Sequence, residues 1–212
     1  MATYDLEEQE TLDALKAWWK DNGRTVILAL AAFLIAVAAV QGWRYHKRTQ
    51  ALEAATLYGQ LLEGVQAKDV KKVQDLAATI FKDHAASGYA AMAALTAAKA
   101  NVEAGSLAAA KGNLTWAAEH ALDEATRDIA RLRLASVLLD EKRYEEALQQ
   151  LDAKHTDATT ALFAELKGDV LTAQGKDAEA RAAYKVAADK LPLGSESRNV
   201  LQLKLDALGE AK

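Results

Sequence analysis

Metal sites and acid–base centres are built from histidine, cysteine and paired carboxylates, and this chain holds such residues in an arrangement that suits neither. Its four histidines, His46, His84, His120 and His155, are scattered. No two of them stand three or four residues apart, the spacing that puts two ligands on one helix face. His84, His120 and His155 fall where helices are expected to end, and an imidazole is favoured there by the negative end of the helix dipole. Cysteine is absent, which removes thiolate nucleophiles, thiolate metal ligands and disulfides together. Neither a phosphate-cradling glycine loop nor a Gly-x-Ser-x-Gly elbow occurs. Carboxylates are plentiful, but Asp123-Glu124 and Glu145-Glu146 read as helix caps or solvated helix surface. The residues therefore point to a protein that is not an enzyme and has no metal, cofactor or small-molecule substrate.

The elements that carry these residues begin with an apolar run. Residues 25–43 contain no charge, and residues 26–40 are an unbroken series of Ala, Val, Ile, Leu and Phe between Arg24 and Arg44. At ~1.5 Å of rise per residue such a helix covers about 28 Å, close to the ~30 Å hydrocarbon core of a bilayer. Trp18, Trp19, Lys20 and Arg24 stand at one end, and Trp43, Arg44, Tyr45, Lys47 and Arg48 at the other. Amphipathic rings and cations at both borders are the pattern of headgroup anchors, so membrane lipid is an expected partner. A cleaved secretory signal is the alternative, with Ala36-Val37-Ala38 as a loose cleavage site. Against it stands an acidic leader, residues 1–24, in which six acids outweigh three bases. Lys16, Lys20 and Arg24 before the run balance Arg44, Lys47 and Arg48 after it, so charge counting leaves both orientations open.

Of the formal net charge of −4, residues 1–24 carry −3 and the rest carries −1. A nearly neutral body is not a nucleic-acid grip. The interleaved Arg44-Tyr45-His46-Lys47-Arg48 fits lipid headgroups better than RNA, because it adjoins the apolar run.

Residues 44–212 are rich in Ala, Leu, Glu, Lys and Gln, and the single proline, Pro192, comes near the end. This is helical composition with almost no alternating strand pattern. Residues 130–147 align with residues 163–180 at a spacing of 33, pairing Ala135 with Gly168, Leu138 with Leu171, Lys142 with Gly175 and Ala147 with Ala180. The pattern of a small residue at a helix crossing, a large one a turn later, a tight turn and a second small residue resembles the tetratricopeptide repeat. Tyr184, Ala187 and Pro192 complete the last unit. An earlier unit follows through Ala98, Gly105, Ala110, Leu114 and Ala117, and it departs at Asn101, where a large apolar residue is expected. The middle unit departs at Lys154, so its second helix is expected to be short or irregular. An ordinary helical bundle is the alternative arrangement.

Two further helices are expected before the repeats. One buries Leu57, Leu61, Leu62 and Val65 and continues from the apolar run without a breaker before Gly59. The other buries Val73, Leu76, Ala77, Ile80 and Phe81, with a join at Lys68-Asp69. After Pro192, Ser195 can cap a closing helix whose Leu201, Leu205 and Leu208 form an apolar row. The fold class expected is all-α, one N-terminal transmembrane helix followed by a tetratricopeptide-like array of helical hairpins with a C-terminal capping helix. By the repeat alignment the groove is lined by Leu95, Lys99 and Glu103, then Leu132, Ser136 and Asp140, then Glu165, Asp169 and Thr172. Clamps for a peptide carboxylate need several Lys, Arg or Asn here, and only Lys99 qualifies.

The chain as a whole is similar to the YfgM family, ancillary subunits of the SecYEG translocon. The likeness rests on Glu7-Glu8-Gln9-Glu10, Leu15-Lys16-Ala17-Trp18-Trp19-Lys20 and Asn22-Gly23 before the apolar run, and Gly42-Trp43-Arg44-Tyr45 after it. In the repeats it rests on Arg131-Leu132-Arg133-Leu134-Ala135 and Tyr144-Glu145-Glu146-Ala147. The resemblance implies a single-pass protein of the bacterial inner membrane, with residues 1–24 in the cytoplasm and residues 44–212 in the periplasm. It also implies the translocon and a periplasmic chaperone, or chains emerging from the translocon, as partners. A permanent scaffold of an envelope or division complex is the competing class.

Overall fold

The computed structural model describes residues 2–209, with side chains from residue 8 onward. Residues 1 and 210–212, the extremes of the expected first and last segments, lie outside the described residues. Among the described residues the secondary structure is helical, with no strand. The α-helices are α1 (Ala2–Gln66), α2 (Val70–Asp83), α3 (Gly88–Glu103), α4 (Leu107–His120), α5 (Glu124–Asp140), α6 (Tyr144–Leu151), α7 (Thr160–Ala173), α8 (Asp177–Asp189) and α9 (Glu196–Ala207). A 3-10 turn, Asp157–Thr159, precedes α7. The chain divides into two units, Met1–Gln50 and Ala51–Lys212.

Residues 2–50 are helix, as a segment without proline allows, and the apolar side chains of residues 27–40 are exposed. Phe33 is 63% exposed and Ile35 69%, so no protein face covers this stretch, and it has no polar stripe to show to water. Its apolar stretch is long enough to cross a membrane. Trp18, Trp19, Trp43 and Tyr45 are half-exposed or more, and the Lys47 ammonium lies 4.3 Å from the centre of the Trp43 ring. Gly23 lets the Trp19 ring lie against the helix, since a Cβ there would meet the ring at 3.2 Å.

The second unit is a stack of hairpins joined by one recurring turn. After α3, the Gly105 N–H donates to Val102 O and the Ser106 N–H to Asn101 O, with Gly105 at φ 74°. After α5 the same pair of bonds runs from Lys142 to Leu139 and from Arg143 to Leu138, with Lys142 at φ 59°. After α7 it runs from Gly175 to Thr172 and from Lys176 to Leu171. These are Schellman closures, which satisfy the last carbonyls of each first helix. A fourth example ends α1, where Lys68 donates to Val65 O and Asp69 to Gly64 O, with Lys68 at φ 54°. The two helices expected to precede the repeats are therefore a hairpin of the same kind, α1–α2.

Small residues let the helices of each hairpin approach. Ala98, Ala135 and Gly168 occupy the crossing on the first helix and Ala110, Ala147 and Ala180 on the second, all buried. Gly168 is the tightest, because a Cβ there would stand 2.3 Å from the Tyr184 ring. Hairpin α1–α2 reverses the sizes: Leu61 and Val73 fill those positions, and Gly64 supplies the clearance, its missing Cβ lying 3.1 Å from Val73 Cγ2. Leu62, expected in the buried stripe, is instead 39% exposed, one step round the helix from Leu61. Asn101, the departure noted in the second hairpin, is fully buried and accepts a hydrogen bond from Gln74 Nε2 at 2.8 Å.

Helix α6 is short, as Lys154 suggested, and a carboxylate takes over from the missing turns. Asp128 on α5 is 1% exposed. Its Oδ2 accepts from the Thr156 N–H at 2.9 Å and from the Thr156 and Thr159 hydroxyls at 2.8 Å each. The loop after α6 is thus pinned to α5, and the next hairpin starts in register. At the far end, Ser195 Oγ caps α9, accepting from the Arg198 N–H. Leu201 is buried there, with Leu205 and Leu208 packed on the last core cluster. The closing helix has the place and apolar row that its sequence implied.

Candidate functional site: the face of the first helices

Helices α3, α5 and α7, with residues 51–66 of α1, repeat the same register, and their side chains at matched positions form one surface. Leu95, Lys99 and Glu103 on α3 stand together on the wall of a groove of about 460 Å³. Tyr58 and Val65 from α1, Met92 and Thr96 from α3, and Arg133 from α5 complete most of its lining. Tyr58 is oriented by a 3.2 Å hydrogen bond between its hydroxyl and that of Thr96. Lys99 and Glu103 pair at 3.8 Å with both side chains mostly exposed, a contact that contributes little to stability. Arg133 makes no hydrogen bond or ion pair among the described residues.

The other expected groove positions divide. Leu132 is half-buried on the core cluster of α5 to α7, so its neighbour Arg133 supplies the groove side chain. The Ser136 hydroxyl is exposed and turned back to Leu132 O at 3.0 Å, while Asp140 is exposed at the end of α5. Glu165 and Asp169 are engaged inside the molecule. Lys204 of α9 donates to Glu165 Oε1 at 2.8 Å and to Asp169 at 2.8 and 3.0 Å. The Tyr184 hydroxyl donates to Asp169 Oδ1 at 2.7 Å and lies 3.2 Å from the Thr172 hydroxyl, which in turn lies 2.9 Å from Gly168 O. At this end of the row Glu165 and Asp169 are partnered by the capping helix, and Thr172 is exposed beside them. Partial burial alone would lower the Lys204 pKa, but the two carboxylates outweigh it and hold the ammonium above its ordinary range. Burial, with the Asp169 carboxylate beside it, raises Tyr184.

The histidines sit apart. His84 is the C-cap of α2. His120 ends α4, with Nδ1 3.0 Å from Trp116 O and its ring stacked on Trp116. His155 is not at a helix end as expected: α6 stops at Leu151, and His155 stacks on Phe163 with centroids 4.2 Å apart. Among the described residues no three His, Asp or Glu side chains form a group able to hold a metal ion. For Asp128, burial raises the carboxyl pKa, but the Thr156 and Thr159 hydrogen bonds and the nearby Arg131 outweigh it and leave it below the usual carboxylate range. That charge is fully occupied by its partners.

A stack of helical hairpins joined by one recurring turn defines a repeat-array class, and the family model of the tetratricopeptide repeat-like domain matches residues 16–210. The chain is 32% identical to the ancillary SecYEG translocon subunit of Neisseria gonorrhoeae, covering 96% of this chain and 98% of the relative. It is 31% identical to that of Haemophilus influenzae, covering 87% and 90%, and 28% identical to that of Escherichia coli, covering 95% and 96%. No solved structure matches the chain. The chain belongs to this family of ancillary SecYEG translocon subunits, the one its juxtamembrane and repeat motifs resemble.

Proposed function

We propose that the protein is a membrane-tethered interaction module and an accessory subunit of the SecYEG translocon. Residues 25–43 cross the inner membrane, residues 1–24 face the cytoplasm, and the array in residues 44–212 faces the periplasm. There it meets a periplasmic chaperone or chains leaving the translocon. The observation that carries this reading is full-length similarity to relatives named for that complex. The uncovered apolar helix, with aromatic rings and cations at both ends, supports the tether. Tethering raises the effective concentration of the array beside membrane partners, which suits weak, recurrent contacts. Membership of a tetratricopeptide repeat-like family whose relatives are named as translocon subunits supports binding.

The test is crosslinking in native membranes from a photoreactive residue placed at Trp43 of the full chain. Adducts with translocon subunits are expected, and adducts confined to envelope-assembly or division proteins would replace this function with a scaffold. The same membranes, washed with alkaline carbonate, should retain the chain with its original amino terminus. A mature form beginning near Ala39 would overturn the tether.

A further inference from the structure

The two ends of the apolar run carry equal numbers of bases in unequal surroundings. Before the run, Lys16 is paired with Asp13 at 3.0 Å, and Asp21 stands three residues from Arg24, on the same side of the helix. After it the chain has no carboxylate before Glu53. Arg44, Lys47 and Arg48 are exposed there and make no hydrogen bond or ion pair among the described residues. Topology does not account for them, because bases are favoured in cytoplasmic loops and in the proposed orientation these three face the periplasm.

The three cations share one side of α1. At about 100° per residue, Trp43, Arg44, Lys47 and Arg48 fall within an arc of about 140°, with Arg44 and Arg48 about 6 Å apart along the axis. Tyr45 and His46 fall outside that arc. The Lys47 ammonium lies 4.3 Å from the centre of the Trp43 ring, a cation–π contact that keeps it on this side at the membrane boundary. On the same side, further into the run, Val40 is 48% exposed, Val37 41% and Phe33 63%. From Phe33 to Arg44 the helix rises about 16 Å, close to half of the ~30 Å hydrocarbon core. An apolar strip one leaflet long thus ends in three unopposed cations. Guanidinium groups match phosphate oxygens, and the ammonium of a zwitterionic headgroup would be repelled by the same cations. An acidic protein segment would answer the charges and leave the strip uncovered, whereas one anionic lipid answers both.

We infer that Arg44, Lys47 and Arg48, beside Trp43, bind the phosphate of an anionic phospholipid in preference to a zwitterionic one, with its acyl chain along Val40, Val37 and Phe33. This rests on the reading of residues 25–43 as a membrane span and names the lipid class held at one end of it.

The test is native mass spectrometry of the full chain released from detergent micelles that contain phosphatidylglycerol and phosphatidylcholine, with the same acyl chains, in equal amounts. Each base beside anionic lipid is worth about fivefold in binding, so the chain should retain phosphatidylglycerol over phosphatidylcholine by at least about tenfold. Arg44→Gln/Lys47→Gln/Arg48→Gln should remove the preference, and Lys20→Gln/Arg24→Gln should leave it unchanged. All the substituted side chains are exposed, and the thermal midpoints of both variants should match that of wild type. Equal retention of the two lipids by wild type, or a preference that survives in the triple variant, overturns the inference. A preference lost equally with Lys20 and Arg24 does so too, because it would then be a general attraction of bases to the micelle. Displacement of the bound lipid by glycerophosphoglycerol, which has the headgroup without the chains, would make the ligand a soluble anion and also overturn it. A photoreactive residue at Trp43 that labels protein but no lipid in native membranes would assign the cations to a protein partner, with the same consequence. Failure here is distinct from failure of the tether or of the accessory role. A chain that survives the carbonate wash without a lipid preference keeps the tether and loses this site, and a chain lost in the wash removes both. Preference for phosphatidylglycerol without translocon adducts from position 43 keeps the site and removes the accessory role.

Discussion

Gly168→Ala and Gly112→Ala are the same chemical change in two hairpins of one array, and they should move stability in opposite directions. Gly112 is exposed in the middle of α4, and a Cβ there meets nothing within 4 Å. Alanine should therefore stabilise by about 0.8–1 kcal/mol through helix propensity alone. Gly168 gains the same propensity term, but its new methyl would stand 2.3 and 2.4 Å from two ring carbons of Tyr184. The ring cannot swing away cheaply, because Tyr184 is 3% exposed and its hydroxyl is held by Asp169. Overpacking of this kind costs about 1–3 kcal/mol, and contact with a buried, tethered ring belongs at the upper end. The net is a destabilisation of about 1–2 kcal/mol. For a chain of this size each kcal/mol shifts Tm by about 2–4 °C. Thermal unfolding of the full chain in detergent, followed by helical circular dichroism, should show Gly112→Ala above wild type and Gly168→Ala below it. A Gly168→Ala protein as stable as Gly112→Ala would mean that α7 and α8 do not cross at that residue.

Asp128→Ala should destabilise the array by about 1–3 kcal/mol, because the part-buried Thr156 N–H and two hydroxyls lose their acceptor. The depressed carboxyl of Asp128 contributes stability that is fully present above the unfolded pKa of about 3.9 and is lost as pH falls through the folded value. Urea midpoints of wild type and Asp128→Ala should hence converge on acidification below about pH 4, and a constant gap would remove Asp128 as the pin. Lys204→Ala should free α9 alone, since its ammonium is what ties that helix to Glu165 and Asp169. Hydrogen exchange should rise across residues 196–207 and leave α3 and α4 unchanged, and a uniform rise through the array would refute a local latch.

Sequence reading recovers features fixed by residue type over short spans. The apolar run needs only its own composition, the α7–α8 hairpin announces itself through Gly168, Gly175 and Ala180, and Ser195 with Leu201, Leu205 and Leu208 marks α9. Features that depend on partners far away in sequence escape it. Glu165 and Asp169 read as groove residues because Lys204, 39 and 35 residues further on, gives no local sign that it will cover them. Arg133 stands beside the expected Leu132, and only the packing of α5 decides which of the two turns outward.

The first hairpin escaped for a different reason. Its crossing holds Leu61 and Val73 where the others hold small residues, so matching by residue type fails, and its turn carries Lys68 where two others carry glycine. Left-handed φ at a non-glycine residue costs roughly 1–2 kcal/mol, so neither Lys68 nor Lys142 is chosen by local preference; the two Schellman bonds and the packed hairpin hold them there. The turn is thus a backbone signal that its residue types only partly report, and counting back from it is more informative than aligning side chains. Fourteen residues before it stand Ala54, Ala91 and Ala161, and in the third hairpin Asp128. A carboxylate in an alanine column, in the one hairpin whose second helix was expected to be short, is the mark of a buried pin.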